Sequence, residues 1–74
     1  MQITVKLFAT LRENRDKIMT LEVDPNTTPR RISEQLGIPV QDVAIIMING
    51  RGAAIDSVLN ENDVLALFPP VGGG

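Results

Sequence analysis

The sequence predicts an α+β fold in which one short helix lies across one face of a mixed sheet. Three observations predict it. Two alternating apolar and polar stretches open the chain, one helix signature follows them, and two more strand-like stretches come after it with no second helical pattern. At 74 residues there is room for a single domain, near the lower end of what buries a workable core.

Residues 2–8 alternate, with Ile3, Val5 and Leu7 on one face and Thr4, Lys6 and Phe8 on the other, the pattern of a half-buried strand. Residues 9–17 are polar apart from Ala9 and Leu11 and read as a loop with a helical turn around Leu11, which tucks beneath it. Alternation returns with Met19, Leu21 and Val23 set against Ile18, Thr20 and Glu22, a second strand that pairs with the first until Asp24-Pro25-Asn26 ends it. Thr28 before Pro29 is an N-cap and first-turn signature, Ile32 and Leu36 share a face, and Gly37-Ile38-Pro39 supplies the stop. Arg30 and Arg31 fall in the first turn, where the helix dipole disfavours cations by a few tenths of a kcal/mol. Solvent exposure of both is expected, with a partner carboxylate or phosphate as the alternative.

Residues 43–48 are almost wholly apolar and stop at the turn pair Asn49-Gly50, so they form a strand with apolar side chains on both faces. Residues 51–59 read as a loop that folds Val58 and Leu59 inward, residues 60–62 as a turn, and residues 63–68 as the final strand. Counting back from Asn49 assigns Ala44, Ile46 and Ile48 to the core, and Ile45 and Met47 to the open face. In the last strand Leu65 and Leu67 point inward while Val64, Ala66 and Phe68 point outward.

One helix covers one face only, and element order strand, strand, helix, strand, strand is that of a grasp arrangement, in which the first and last strands are neighbours. Phe8, Met47, Ala66 and Phe68 then form one exposed apolar patch, the kind of surface that marks a docking site. A one-residue slip of register would instead bury the phenylalanines. The patch adjoins a tail, Pro69-Pro70-Val71-Gly72-Gly73-Gly74. The prolines hold the chain extended, the glycines thread a narrow channel, and the six residues reach roughly 20 Å. A loose terminus would have the same composition. Residues 1–68 are thus expected to form the domain and residues 69–74 a flexible tail whose final carboxylate, on Gly74, is the candidate reactive group.

Composition removes most other chemistry. The absence of cysteine and histidine excludes disulfides, thiolates, an imidazole base and the common zinc and iron–sulfur ligand sets. Ser33, Ser57 and the carboxylates lack a visible activating partner, so an independent enzyme is not expected. A net charge of −2 and two aromatic residues argue against nucleic acid. No apolar run is long enough to span a membrane and no signal-peptide layout is visible, which reads as a cytoplasmic protein with no membrane partner. Residues 1–31 carry six basic and four acidic groups, a balance of +2, and residues 32–74 carry one basic and five acidic groups, a balance of −4. The tail-bearing half is therefore acidic, which is expected of a solvated surface with ordinary scatter of charge, with steering towards a basic partner as the alternative.

The stretches Leu7-Phe8-Ala9-Thr10-Leu11-Arg12-Glu13, Ile48-Asn49-Gly50 and Asp63 through Gly74 together resemble the MoaD/ThiS family of ubiquitin-like sulfur carriers. The Phe-Pro-Pro-Val ending is most similar to its molybdopterin synthase small-subunit branch, the MoaD type. The resemblance implies a β-grasp fold with Gly74 as the residue adenylated and then converted to a thiocarboxylate, Gly73 as its companion, and Phe68 with Phe8 as docking contacts. It implies no bound cofactor, with ATP used by a partner, a ubiquitin-activating-like adenylyltransferase of the MoeB/ThiF type. Further implied partners are a sulfur donor system and a molybdopterin synthase large subunit of the MoaE type, which receives the loaded tail. The alternatives are sulfur delivery to thiamine thiazole or another metabolite, and a ubiquitin-like binding or modifier module. Gly72 stands where the family more often has another small residue.

Overall fold

The computed structural model describes residues 1–70 of the chain. Its strands are β1 (Gln2–Leu7), β2 (Ile18–Glu22), β3 (Ile45–Ile48), β4 (Arg51–Gly52) and β5 (Val64–Phe68), and its α-helix is α1 (Pro29–Gln35). Short 3-10 turns occupy Ala9–Arg12 and Val40–Asp42. The sheet runs β2-β1-β5-β3-β4, with β1 and β5 parallel and the other pairs antiparallel. This is the expected mixed sheet, with first and last strands side by side at its centre.

Alternation decides which side chains enter the core. Ile3, Val5 and Leu7 of β1 and Leu65 and Leu67 of β5 are each no more than 1 % exposed, and they pack with Ile32 of the helix and Leu59 of the long loop. The buried apolar set is purely aliphatic, as a chain with two phenylalanines and both of them on the other face must make it. The helix begins as its sequence dictates: the Thr28 hydroxyl accepts from the Arg31 amide at 3.4 Å, and Pro29 occupies the first turn, where no amide hydrogen is required. Leu36 caps its C-terminus and Gly37 follows at φ +73°, a conformation that glycine takes without penalty. Arg15, from the loop after β1, closes this end by donating to the carbonyls of Leu36 and Gly37 at 3.2 and 3.1 Å.

Asn49 and Gly50 have positive φ, 53° and 80°, and link Ile48 directly to its partner Arg51 as a two-residue hairpin turn. The Asn49 side chain extends the sheet beyond the turn. It accepts from the Val64 amide at 2.9 Å and donates to Asp63 Oδ1 at 2.8 Å, while Asp63 Oδ2 accepts from the Asn60 amide at 2.8 Å.

Three expectations are corrected. Residues 51 and 52, expected in a loop, form β4, because an Asn-Gly turn after an apolar strand returns the chain along that strand. Val58, expected to fold inward, is 52 % exposed, whereas Leu59 is 1 % exposed and its amide donates to the Thr27 carbonyl at 2.8 Å. Adjacent residues of an extended segment point to opposite sides, so only one of the two enters the core. Ala44, assigned to the core, is exposed, since β3 begins only at Ile45 after the 3-10 turn at Val40–Asp42.

Candidate functional site

The face of the sheet turned away from α1 carries Lys6, Phe8, Val64, Ala66, Phe68, Ile45 and Met47. Register places them in rows: Lys6 lies beside Ala66 and Ala66 beside Met47, while Phe68 lies beside Ile45. Phe8 follows β1, and its amide donates to the Leu67 carbonyl at 3.2 Å, which carries the parallel ladder one residue further and brings its ring over β5. The Phe8 and Phe68 rings stack with centroids 4.3 Å apart and planes 11° from parallel. Both rings are half-buried, as are Ala66 and Met47, and Ile45 beside them is 47 % exposed. The four apolar side chains singled out from sequence thus lie together on one face.

Pro69 is half-buried and Pro70 exposed, and both border a groove formed with Thr10, Arg15, Leu36 and Pro39. Val71, Gly72, Gly73 and Gly74 lie outside the described residues. The chain therefore passes from the aromatic stack straight into the two prolines.

Sequence reasoning missed three neighbours of the stack. Arg12 holds its guanidinium 5.3 Å from the Phe8 ring centroid while its Nε donates to the Leu7 carbonyl at 2.8 Å, so the cation is fixed at the rim of the ring. Ile45 was placed on the open face but not among the docking residues. Ile18, at the start of β2, is 54 % exposed. Strict alternation was a usable signal for both isoleucines; for Arg12 no local signal exists, because its place over Phe8 depends on the intervening 3-10 turn.

Arg30 and Arg31 part company. Arg30 makes a two-pronged ion pair with Asp56, Nε to Oδ1 at 2.8 Å and Nη2 to Oδ2 at 3.0 Å. Its own amide donates to the Ile55 carbonyl at 2.9 Å. The hydrogen bond, reinforced by charge attraction, holds Asp56 below its ordinary carboxylate range and pushes Arg30 up. Arg31 is exposed as expected, and Arg30, with its side chain 43 % exposed, is paired with a carboxylate of the same chain. Among the described residues no cluster of carboxylates could hold a metal ion, and no helix is long and apolar enough to cross a membrane.

Comparison with known proteins agrees with this geometry. Small archaeal modifier protein 1 from Haloferax volcanii superposes with a TM-score of 0.75 at 27 % identity, covering 100 % of both chains. A protein provisionally named molybdopterin converting factor subunit 1 from Pyrococcus furiosus gives a TM-score of 0.74 at 25 % identity over 96 % of this chain and 99 % of its own. The same fold occurs in the complex of subunits 1 and 2 of molybdopterin-converting factor from Helicobacter pylori, with a TM-score of 0.66 at 22 % identity over 100 % of both chains. No curated protein sequence matches the chain. The ThiS family matches residues 5–74, nearly the whole sequence. The chain therefore belongs to the ThiS family, with the β-grasp, ubiquitin-like fold of the ThiS and MoaD sulfur carriers.

Proposed function

We propose that this chain carries sulfur as a thiocarboxylate on Gly74 and donates it in assembly of the pterin cofactor of molybdenum or tungsten enzymes, as the small subunit of a molybdopterin synthase. The observation that carries this reading is the stacked Phe8–Phe68 pair where β5 runs into Pro69 and Pro70. It supplies a rigid apolar dock next to a tail that ends in three glycines. Residues 1–68 act as the handle and residues 69–74 as the arm.

Activation is needed because a carboxylate is a poor acyl donor. A ubiquitin-activating-like enzyme of the MoeB/ThiF type would join the Gly74 carboxylate to the AMP portion of ATP with loss of pyrophosphate. A sulfur nucleophile from a donor system then displaces AMP, leaving sulfur in place of one carboxylate oxygen. The loaded tail would enter a larger subunit of the MoaE type, where the thiocarboxylate sulfur displaces a leaving group from an activated carbon of the pterin precursor. Water then cleaves the acyl–sulfur bond, leaving sulfur on the precursor and returning the Gly74 carboxylate. The carrier would bind no cofactor of its own, its work would take place in the cytoplasm, and all catalysis would lie in its partners. Support for the pathway comes from the likeness to the Pyrococcus furiosus protein and from the Phe-Pro-Pro-Val ending.

The test is intact-mass spectrometry of the full chain incubated with its activating enzyme, ATP and a sulfur source. A species with one oxygen exchanged for sulfur at Gly74, able to convert the pterin precursor with the large subunit, is expected. Failure to form either the adenylate or that species would overturn the proposal. The likeness to small archaeal modifier protein 1 favours a second reading, a modifier joined to lysines through Gly74. That reading predicts isopeptide-linked adducts of higher mass instead. Sulfur delivery to a thiazole precursor would appear as turnover with that acceptor and none with the pterin.

A further inference from the structure

Charge sorts differently in space than along the chain. By sequence, the half that bears the tail is acidic. In the folded domain the charged side chains lining the cleft beside Phe8 come from the other half, and they are basic. Lys6, Arg12 and Lys17 surround a cleft of about 230 Å³ whose remaining lining is Leu7, Phe8 and Ile18. No carboxylate lines it. Among the described residues the ion pairs are Met1–Glu22 and Arg30–Asp56, so within them none of the three cations is neutralised.

The cleft is a designed-looking combination only in its physical parts. Phe8, stacked on Phe68, forms one wall and Ile18, more than half exposed, another. Arg12 is held at the rim by its bond to the Leu7 carbonyl and its place over the Phe8 ring. Lys17 is anchored through its backbone, whose carbonyl accepts from the Leu7 amide at 2.9 Å. Lys6 projects from β1 on the open face, next to Ala66. An apolar floor with three cations at its rim, on a protein of net charge −2, fits a partner segment of opposite sign.

We propose that this cleft receives an acidic loop, with an apolar residue flanked by aspartates or glutamates, from the activating enzyme that docks on the Phe8–Phe68 stack. The proposal rests on the functional reading above for the identity of the partner. The apolar residue enters between Phe8 and Ile18, and its neighbouring carboxylates meet Arg12, Lys17 and Lys6. Charges at such a rim act chiefly on encounter and register, so they set how much carrier is needed and leave the adenylation chemistry unchanged.

The experiment measures ATP-dependent pyrophosphate release by the activating enzyme against carrier concentration. The triple variant Lys6→Glu, Arg12→Glu, Lys17→Glu should raise KM by about tenfold or more at low salt with kcat unchanged, and the difference should shrink as salt is raised. A charge-preserving variant, Lys6→Arg with Lys17→Arg and Arg12 left in place, should stay close to the unaltered protein. An unchanged KM for the charge-reversed protein, or a penalty that ignores salt, would overturn the inference. A second measurement does not depend on variants or on the enzyme. The amide spectrum of the unaltered protein is titrated with a short peptide of leucine and glutamate, and separately with inorganic pyrophosphate. Shifts at residues 6–8, 12, 17 and 18 with the peptide alone support the proposal; equal shifts with pyrophosphate, or none with the peptide, sink it. If the unaltered carrier is never adenylated, the sulfur-carrier reading falls while this titration still decides the cleft.

Discussion

The two faces of the sheet use the same strands for opposite ends. On the side under α1, β1 and β5 present Ile3, Val5, Leu7, Leu65 and Leu67, all sealed from solvent. On the other side the same strands, with the residue after β1, present Lys6, Phe8, Val64, Ala66 and Phe68, all half-exposed. The pleat makes this division with a period of two residues, so neighbours in sequence differ in what they sustain. The chain places its two largest apolar side chains, Phe8 and Phe68, on the side that adds least to the core. A protein built for stability alone would reverse that choice.

The sharpest way to break the comparison is to truncate neighbours on opposite faces. Leu67→Ala should cost about 2–5 kcal/mol of unfolding free energy, from lost burial and the cavity left behind. A domain of this size has only about 4–11 kcal/mol in all, so urea denaturation should show a large fall in midpoint. Phe68→Ala should cost less, since its stack with Phe8 is worth about 0.5–1.5 kcal/mol beyond the area it covers. Calorimetric titration with the activating enzyme should show the reverse ranking, with affinity falling by about tenfold or more for Phe68→Ala. If Phe68→Ala unfolds the protein as readily as Leu67→Ala, the two faces are not divided in this way.

The smallest effect concerns Arg30 and Asp56, which belong to neither face. Asp56→Asn should lower stability slightly at neutral pH, because both partners are exposed and screened by solvent. Asp56 in the folded protein releases its proton more readily than in the unfolded chain, first through the hydrogen bond from Arg30. The unfolded chain therefore binds more protons as pH falls below about 4, and the contribution of the pair, fully present above that range, is lost as pH drops through the folded value. Thermal scans of both proteins should converge at strongly acidic pH and diverge as pH rises past the carboxylate range.

Most of the fold was legible because its signals are local. Alternation in β1, β2 and β5 gave the inward set, and Thr28-Pro29 with Gly37 bounded the helix. What escaped depends on contacts distant in sequence. Arg30 finds Asp56 twenty-six residues away, a pairing that no window across the helix reveals. Leu59 rather than Val58 is buried because its amide meets the Thr27 carbonyl and fixes which way the loop faces. The candidate site divides in the same manner. Phe8, Met47, Ala66 and Phe68 followed from phase, whereas the basic rim of Arg12, Lys17 and Lys6 emerges only when the 3-10 turn and the start of β2 fold back on β1.

The position of β5 has a mechanical consequence. It is laced on both edges, to β1 in parallel and to β3 in antiparallel fashion, and its axis leads into Pro69 and Pro70. A force pulling on Pro70 runs along that strand and across two ladders of hydrogen bonds that must all yield together, in shear, where an edge strand would unzip bond by bond. The last strand is thus a tow-bar set into the middle of the sheet, and traction at its far end is borne by the whole domain.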